Sequence, residues 1–443
     1  MVAQAARPLP HLIPAGAADE PRLKRTIGLG SALALYSGAV LGTGILVLPA
    51  VAAETAGPAS LIAWVGLSLL SLPLALTFAA LGRRQPVAGG FTAYIVRAFG
   101  RRWGAIAGWL FLAQVPTGCA FVGFLAASYL AAPFGLGRDA QLAIAMTFIG
   151  LAYGLNLLGL RVVGAVQTLA TVGVLALVIG VVVAANRDVR AEAFVPFAPL
   201  GFSAVGLAAV QVFWAFVGWE AITPLAEEFR APERDLRRAS VISVGIVAVI
   251  YLALALVTIG THAYGAEAQG LPPFALMAER AFGRGALFVV GIAGGVLAFT
   301  PLNAYVAGTS RLAYSLARSG DLPSWVGVLH PRTRVPHHAL TGLGIACLAA
   351  TALTYAGGIR PADLLPLSTS SFIATYVLSM AAAVRLLRGR ESLLAGVGLA
   401  ACLVVLAFVG ALLAWLALVS LAAALYASRR SRSLVARPQT PYR

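Results

Sequence analysis

The sequence predicts an all-α membrane protein of about twelve transmembrane helices. Hydropathy, the recurrence of apolar stretches of bilayer length and the placement of the basic residues carry that expectation. Of 443 residues, 60% are hydrophobic and 11% charged, and mean hydropathy is +0.89. No water-soluble domain can bury that much apolar surface. A helix needs about 20 apolar residues to cross a bilayer, and segments of that length recur between Gly28 and Arg429. With the N-terminus in the cytoplasm, 26 of the 32 basic residues fall on inner segments. Six fall outside: Arg138, Arg187, Arg190, Arg280, Arg284 and Arg360. Because Lys and Arg collect on the cytoplasmic side, this split predicts an even number of spans in the inner (plasma) membrane, with both termini cytoplasmic. The net charge of +16 then anchors topology against lipid, and no nucleic acid is needed to explain it.

In chain order, residues 1–27 form a Pro- and Ala-rich cytoplasmic tail without the apolar core of a cleavable signal. Six spans follow at 28–53, 58–82, 104–132, 139–158, 162–185 and 202–228. Six more lie at 240–264, 284–318, 339–356, 362–385, 391–408 and 410–428. The last two share one apolar run, Ser392 to Ala427, that Gly410 divides. Residues 429–443 are a basic cytoplasmic tail.

Helix-breaking residues at membrane depth are tolerated where the freed backbone faces protein or a water-filled cavity. The first span holds Gly38, Gly42 and Gly44, then Pro49; the sixth runs Phe213-Trp214-Ala215-Phe216-Val217-Gly218-Trp219-Glu220, then Pro224. Unwinding over Gly42, Thr43, Gly44 and Ile45 would offer N–H groups at a half-helix N-terminus to a carboxylate. Unwinding over Phe213 to Gly218 would offer carbonyls to an ammonium. Small residues in membrane helices also serve simply to bring helices close. Two breaks five helices apart, however, predict two inverted halves, 28–185 and 202–388, with a site between them. The spans within 391–428 are then accessory. Glu220 is either a functional carboxylate at depth or an acceptor for the unwound backbone. Glu54, Glu227 and Glu228 lie near interfaces and are not assigned to substrate.

Cys119, Cys347 and Cys402 sit singly in apolar runs, without the spacing of a zinc site or a disulfide framework, and read as packing thiols. His11, His262, His330, His337 and His338 occupy tails or loops without metal-site spacing. Neither a phosphate loop, a catalytic constellation nor a selectivity-filter repeat occurs. No cofactor, metal or enzyme activity is expected, and an ion channel or membrane sensor is the competing class.

Four stretches resemble the amino acid/polyamine/organocation permeases: Gly38 to Pro49, Phe213 to Glu220, Gly308 to Pro323, and Asn156 to Arg161 with Gln167. Phe213 to Glu220 with Glu228 to Asp235 is most similar to the branch that exports methionine and branched-chain amino acids. The resemblance implies a LeuT-like fold of ten core helices in two inverted repeats plus two accessory helices, working by alternating access on a small amino acid. It places the substrate carboxylate on Thr43, Gly44 and Ile45, and the ammonium on the carbonyls of Phe213, Ala215 and Phe216. Trp214, Phe216 and Trp219 would gate or line the pocket, although packing explains any one of them equally well. Gly173-Val174-Leu175 stands where some proton-coupled relatives carry lysine, which argues against a lysine switch. Proton antiport through Glu220 is the expected coupling. Sodium held by Thr309 and Ser310 is the alternative, though such hydroxyls usually bond their own backbone.

Overall fold

The computed structural model describes residues 28–84, 90–159, 164–220, 223, 229–265 and 271–435. Among them the apolar spans are helical apart from short interruptions. The first predicted span forms two helices, α1 (Leu29–Val40) and α2 (Gly44–Ala56), and α3 (Ser60–Arg84) follows. A short amphipathic helix that the span pattern did not predict, α4 (Gly90–Phe99), precedes α5 (Arg101–Ala113) and α6 (Val115–Ala131), which divide the third span at Gln114. Next come α7 (Arg138–Leu157), α8 (Gly164–Ala185), α9 (Ser203–Val212) and α10 (Pro232–Gly260). After a second unpredicted short helix, α11 (Pro273–Phe282), come α12 (Ala286–Ser319), α13 (His337–Ala356), α14 (Leu365–Leu386), α15 (Arg390–Ala407) and α16 (Leu413–Val435).

Nine stretches among the described residues are individually long and apolar enough to cross a membrane, and one of them, Gly44–Arg84, runs through both α2 and α3. With α1, the 22-residue α8 and the shorter apolar run Ser203–Phe216, the described residues place helix in each of the twelve predicted spans. The chain is an all-α, multi-pass membrane protein.

Helix packing separates two groups. In one, α3 lies along α10, α1 along α10, and α2 along α9. Hydroxyls tie this group together: Ser240 donates to Tyr36 at 3.0 Å, and Thr55 donates to Gln211 at 2.8 Å. In the other, α6 is surrounded by α7, α12 and α13. Here glycine sets the spacing, since a Cβ on Gly294 would stand 2.6 Å from Cγ of Tyr129. Only a residue without a side chain lets α12 approach α6 this closely. At the cytoplasmic end implied by the basic-residue pattern, the buried Asp321 carboxylate accepts from Arg101 at 3.0 Å. Trp109 donates to its carbonyl at 2.8 Å, fixing the end of α12 to α5.

Candidate functional site

The two breaks face each other midway along the helices. Between α1 and α2, residues Leu41 to Thr43 leave the helix, and the chain re-enters through long i→i+3 bonds from Ile45 N–H to Gly42 O (3.5 Å) and from Leu46 N–H to Thr43 O (3.2 Å). The first N–H groups of a helix have no intrahelical acceptor, so those of Gly44 and its neighbours head α2 toward the break. After α9 the chain tightens into a 3₁₀ turn, Phe213–Phe216, and Val217 is extended at ψ 138°. Gly218 has φ +132°, a conformation that only glycine adopts without strain. Pro224, Glu227 and Glu228 lie outside the described residues, as do Arg161 and the side chain of Gln167.

Contact between the breaks is direct. A Cβ on Gly44 would lie 3.1 Å from Cα of Ala215, so any side chain there presses on the facing backbone. Tyr251, projecting from α10, places its hydroxyl 2.8 Å from Val40 O and 3.1 Å from Ala215 O, one carbonyl from each break. Trp214 Nε1 donates to Thr43 Oγ1 at 3.3 Å. Side chain and backbone thus join the same two segments.

Beside this junction is a cavity of about 90 Å³, counted as the space open to the centre of a water molecule. One water needs roughly 10–15 Å³ on that measure, so the space suits a small organic solute. Gly42, Thr43, Gly44 and Trp214 line it, as the sequence predicts for the neighbourhood of the breaks. The remaining wall comes from Gln114, from Cys119 and Val122 on α6, from Leu302 and Tyr305 on α12, and from Phe372 on α14. No Asp, Glu, Lys, Arg or His is among the described residues that line it. Two of its polar groups are joined, Gln114 Nε2 donating to Tyr305 Oη at 3.1 Å, and from behind the wall Ser368 donates to the Gln114 carbonyl at 3.2 Å.

Other residues singled out in the sequence lie around the cavity rather than on its surface. Ile45 is buried on α2, and Phe213 packs edge-on against Tyr376. Ala215 meets Tyr251 and Gly44, while Phe216 packs between a tilted Trp64 ring and the edge of Tyr251. Trp219 packs on Tyr36. The Glu220 carboxylate accepts from Gly218 N–H at 3.0 Å and from the Tyr376 hydroxyl, so it caps the unwound backbone across to α14. Thr309 and Ser310 donate to carbonyls of their own helix, those of Tyr305 and Ala307, at 2.8 and 2.9 Å. Glu54, near the other end of α2, accepts from Gly265 N–H at 3.1 Å. Asn156 joins α7 to α12 through Asn303, at 2.8 Å. Sequence reasoning missed Gln114 and Cys119. An amide immediately before Val115-Pro116 in an apolar span was the available sign of a third bend.

A bundle of this kind, with two broken helices meeting at a small uncharged cavity, defines a helical membrane transporter architecture. Residues 27–433 match the model of a family described as amino acid permease, and the chain belongs to that family. It is 37% identical over 375 residues to the uncharacterized amino acid permease YecA of Bacillus subtilis, covering 84% of this chain and 87% of the relative. It is 34% identical over 391 residues to the L-methionine/branched-chain amino acid exporter YjeH of Escherichia coli, covering 88% and 92%. Identity to the branched-chain amino acid permease BcaP of Bacillus subtilis is 28% over 403 residues, covering 85% and 84%.

Proposed function

We propose that this protein is a secondary active transporter, not an enzyme, that exports neutral apolar amino acids of the methionine, leucine, isoleucine and valine type by proton antiport and alternating access. The observation that carries the reading is the cavity at the meeting of the two breaks, whose described lining holds no charged side chain. An amino acid brings its own two charges, and the backbone answers both. N–H groups of Thr43, Gly44 and Ile45 at the head of α2 receive the carboxylate, favoured by the helix dipole. Carbonyls of Phe213, Ala215 and Phe216, which stand behind the cavity surface in this structure with that of Ala215 held by Tyr251, receive the ammonium once the segment between Trp214 and Val217 turns toward the substrate. The substrate side chain then rests among Val122, Leu302 and Phe372, under the Trp214 ring. A charged side chain would have no partner there, and burying it unpaired is costly. Likeness to YjeH supports both the substrate type and the outward direction.

Glu220 is the coupling residue in this reading. Its ionised carboxylate accepts from Gly218 N–H and the Tyr376 hydroxyl. A proton on that oxygen turns an acceptor into a donor and releases the unwound segment. Sodium at Thr309 and Ser310 is disfavoured because both hydroxyls are committed to helix carbonyls. The protein lies in the inner (plasma) membrane with both termini cytoplasmic, its repeats at 28–185 and 202–388 and its accessory helices within 391–428. Uptake or exchange is the second reading, favoured by likeness to BcaP.

Exchange of labelled leucine and methionine in proteoliposomes, against arginine and glutamate, under imposed proton or sodium gradients, tests this. Leucine and methionine movement that follows the proton gradient is expected. A sodium response would move the coupling to α12, and absence of any amino acid movement would overturn the reading.

A further inference from the structure

The bend between α5 and α6 brings Gln114 into the cavity wall, and binding of an amino acid backbone at the two breaks leaves its side chain unused. Gln114 is 1% exposed. Its place is fixed from behind, where Thr117 and Ser368 both donate to its carbonyl, at 3.1 and 3.2 Å. Its Nε2 donates to Tyr305 Oη at 3.1 Å. The Tyr305 ring is held as well, stacked on Phe111 with centroids 5.6 Å apart and edge-on to Phe372 at 6.0 Å. Two bonding positions stay open. Among the described residues no donor reaches Gln114 Oε1, and the Tyr305 hydroxyl proton has no acceptor. Buried polar atoms are seldom left without partners, so an open acceptor beside an open donor in a cavity wall points to a ligand that meets both.

Trp214 sets where this pair lies relative to the breaks. Its pyrrole edge donates to Thr43 at 3.3 Å, beside the N–H groups that face the carboxylate. Its benzene edge reaches Gly118, where an added Cβ would stand 3.0 Å from Trp214 Cη2 and 3.1 Å from Gln114 Oε1. The bare glycine therefore leaves the amide oxygen uncovered next to the ring. Gln114 lies across the indole from the first break, where the side chain of a substrate reaches and its carboxylate does not. A hydroxyl fits there, because it donates once and also accepts; an ammonium only donates, a carboxylate only accepts, and a thiol does both weakly. We propose that Gln114 and Tyr305 form a hydroxyl-recognising subsite, and that hydroxylated neutral amino acids such as homoserine and threonine are substrates alongside the apolar ones. This substrate range rests on the amino acid reading above. With an apolar side chain bound, the pair is left to water, for which a cavity of about 90 Å³ has room. A hydroxylated side chain displaces that water and makes both bonds itself, donating to Gln114 Oε1 and accepting from Tyr305 Oη.

Competition against labelled leucine for binding to the purified protein, with the near-isosteric pair homoserine and norvaline, tests the subsite. In wild type the two inhibition constants are expected to lie within fivefold of each other, although only homoserine must shed a hydrated hydroxyl. Burying that hydroxyl without a partner is costly, so Gln114→Leu should raise the homoserine-to-norvaline ratio of inhibition constants by about tenfold. Tyr305→Phe, which removes one hydroxyl and keeps the ring, should raise it several-fold. A purely structural role for Gln114 would move both constants together and leave their ratio alone. Thermal unfolding in detergent checks that each variant folds. Homoserine more than fivefold weaker than norvaline in wild type overturns the subsite and leaves apolar substrates standing. So does an unchanged ratio in Gln114→Leu, or in Tyr305→Phe should the first variant not fold. Failure of leucine and norvaline alike to bind wild type overturns the amino acid reading, and the subsite falls with it.

Discussion

Tyr251 spends one hydroxyl on two carbonyls that belong to different broken helices. A hydrogen bond of this kind contributes about 1 kcal/mol, so Tyr251→Phe is expected to change leucine exchange several-fold while leaving membrane insertion intact, measured as initial rates in proteoliposomes. At Gly44 the space itself is the constraint. Gly44→Val would drive a side chain into the Ala215 backbone, 3.1 Å from the first added carbon, and exchange should fall at least tenfold with normal yield. At Glu220 the two roles separate by substitution. Gln keeps an acceptor for Gly218 N–H and loses the titration, so Glu220→Gln should retain exchange but lose its response to a proton gradient; an unchanged pH dependence would defeat the coupling role. The glycines of the first break and Glu220 are legible in the sequence because they violate the apolar pattern of their spans. Tyr251 is not, since an aromatic in a helix signals nothing until its hydroxyl is seen to reach across to other helices.

Among whole elements, nine of the predicted spans correspond to helices whose ends lie within a few residues, because in a bilayer length and apolarity alone enforce a helix; α16 runs seven residues past the predicted end, to Val435, and the end of the sixth span lies outside the described residues. The remaining exception, at the start of α10, eight residues early at Pro232, follows from Pro232-Glu233 with Asp235: a proline and acidic residues suit a first helical turn outside the apolar core. The short helices α4 and α11 were invisible to a search for bilayer-length runs. So was the bend at Gln114, whose function is tertiary: it turns an amide toward Tyr305. Packing between α6 and α12 also depends on residues that the sequence shows only as common membrane glycines. Gly294→Leu would force Tyr129 away from α12, and overpacking of this kind costs roughly 1–3 kcal/mol. A lower unfolding temperature in detergent is therefore expected, larger than for Gly308→Leu, where a Cβ meets nothing within 4 Å.

For the molecule as a whole, composition set the class and the basic residues set the expected orientation, but the cavity depended on parts of the chain far apart in sequence. Its wall joins residues from Val40 to Phe372, and no local pattern ranks those faces. A last consequence concerns how the protein is made. Arg83 reaches Glu233 at 3.2 Å and also pairs with Glu391, which holds Arg84 as well; the Arg83 and Glu391 positions are 308 residues apart. During synthesis both guanidiniums therefore emerge long before the carboxylate that bridges them, and the final hairpin closes a bracket opened by the third helix. Chains ending before residue 390 should remain recognisably incomplete at that corner and be cleared by membrane proteases, which a pulse-chase comparison with Glu391→Gln would reveal as faster turnover of both.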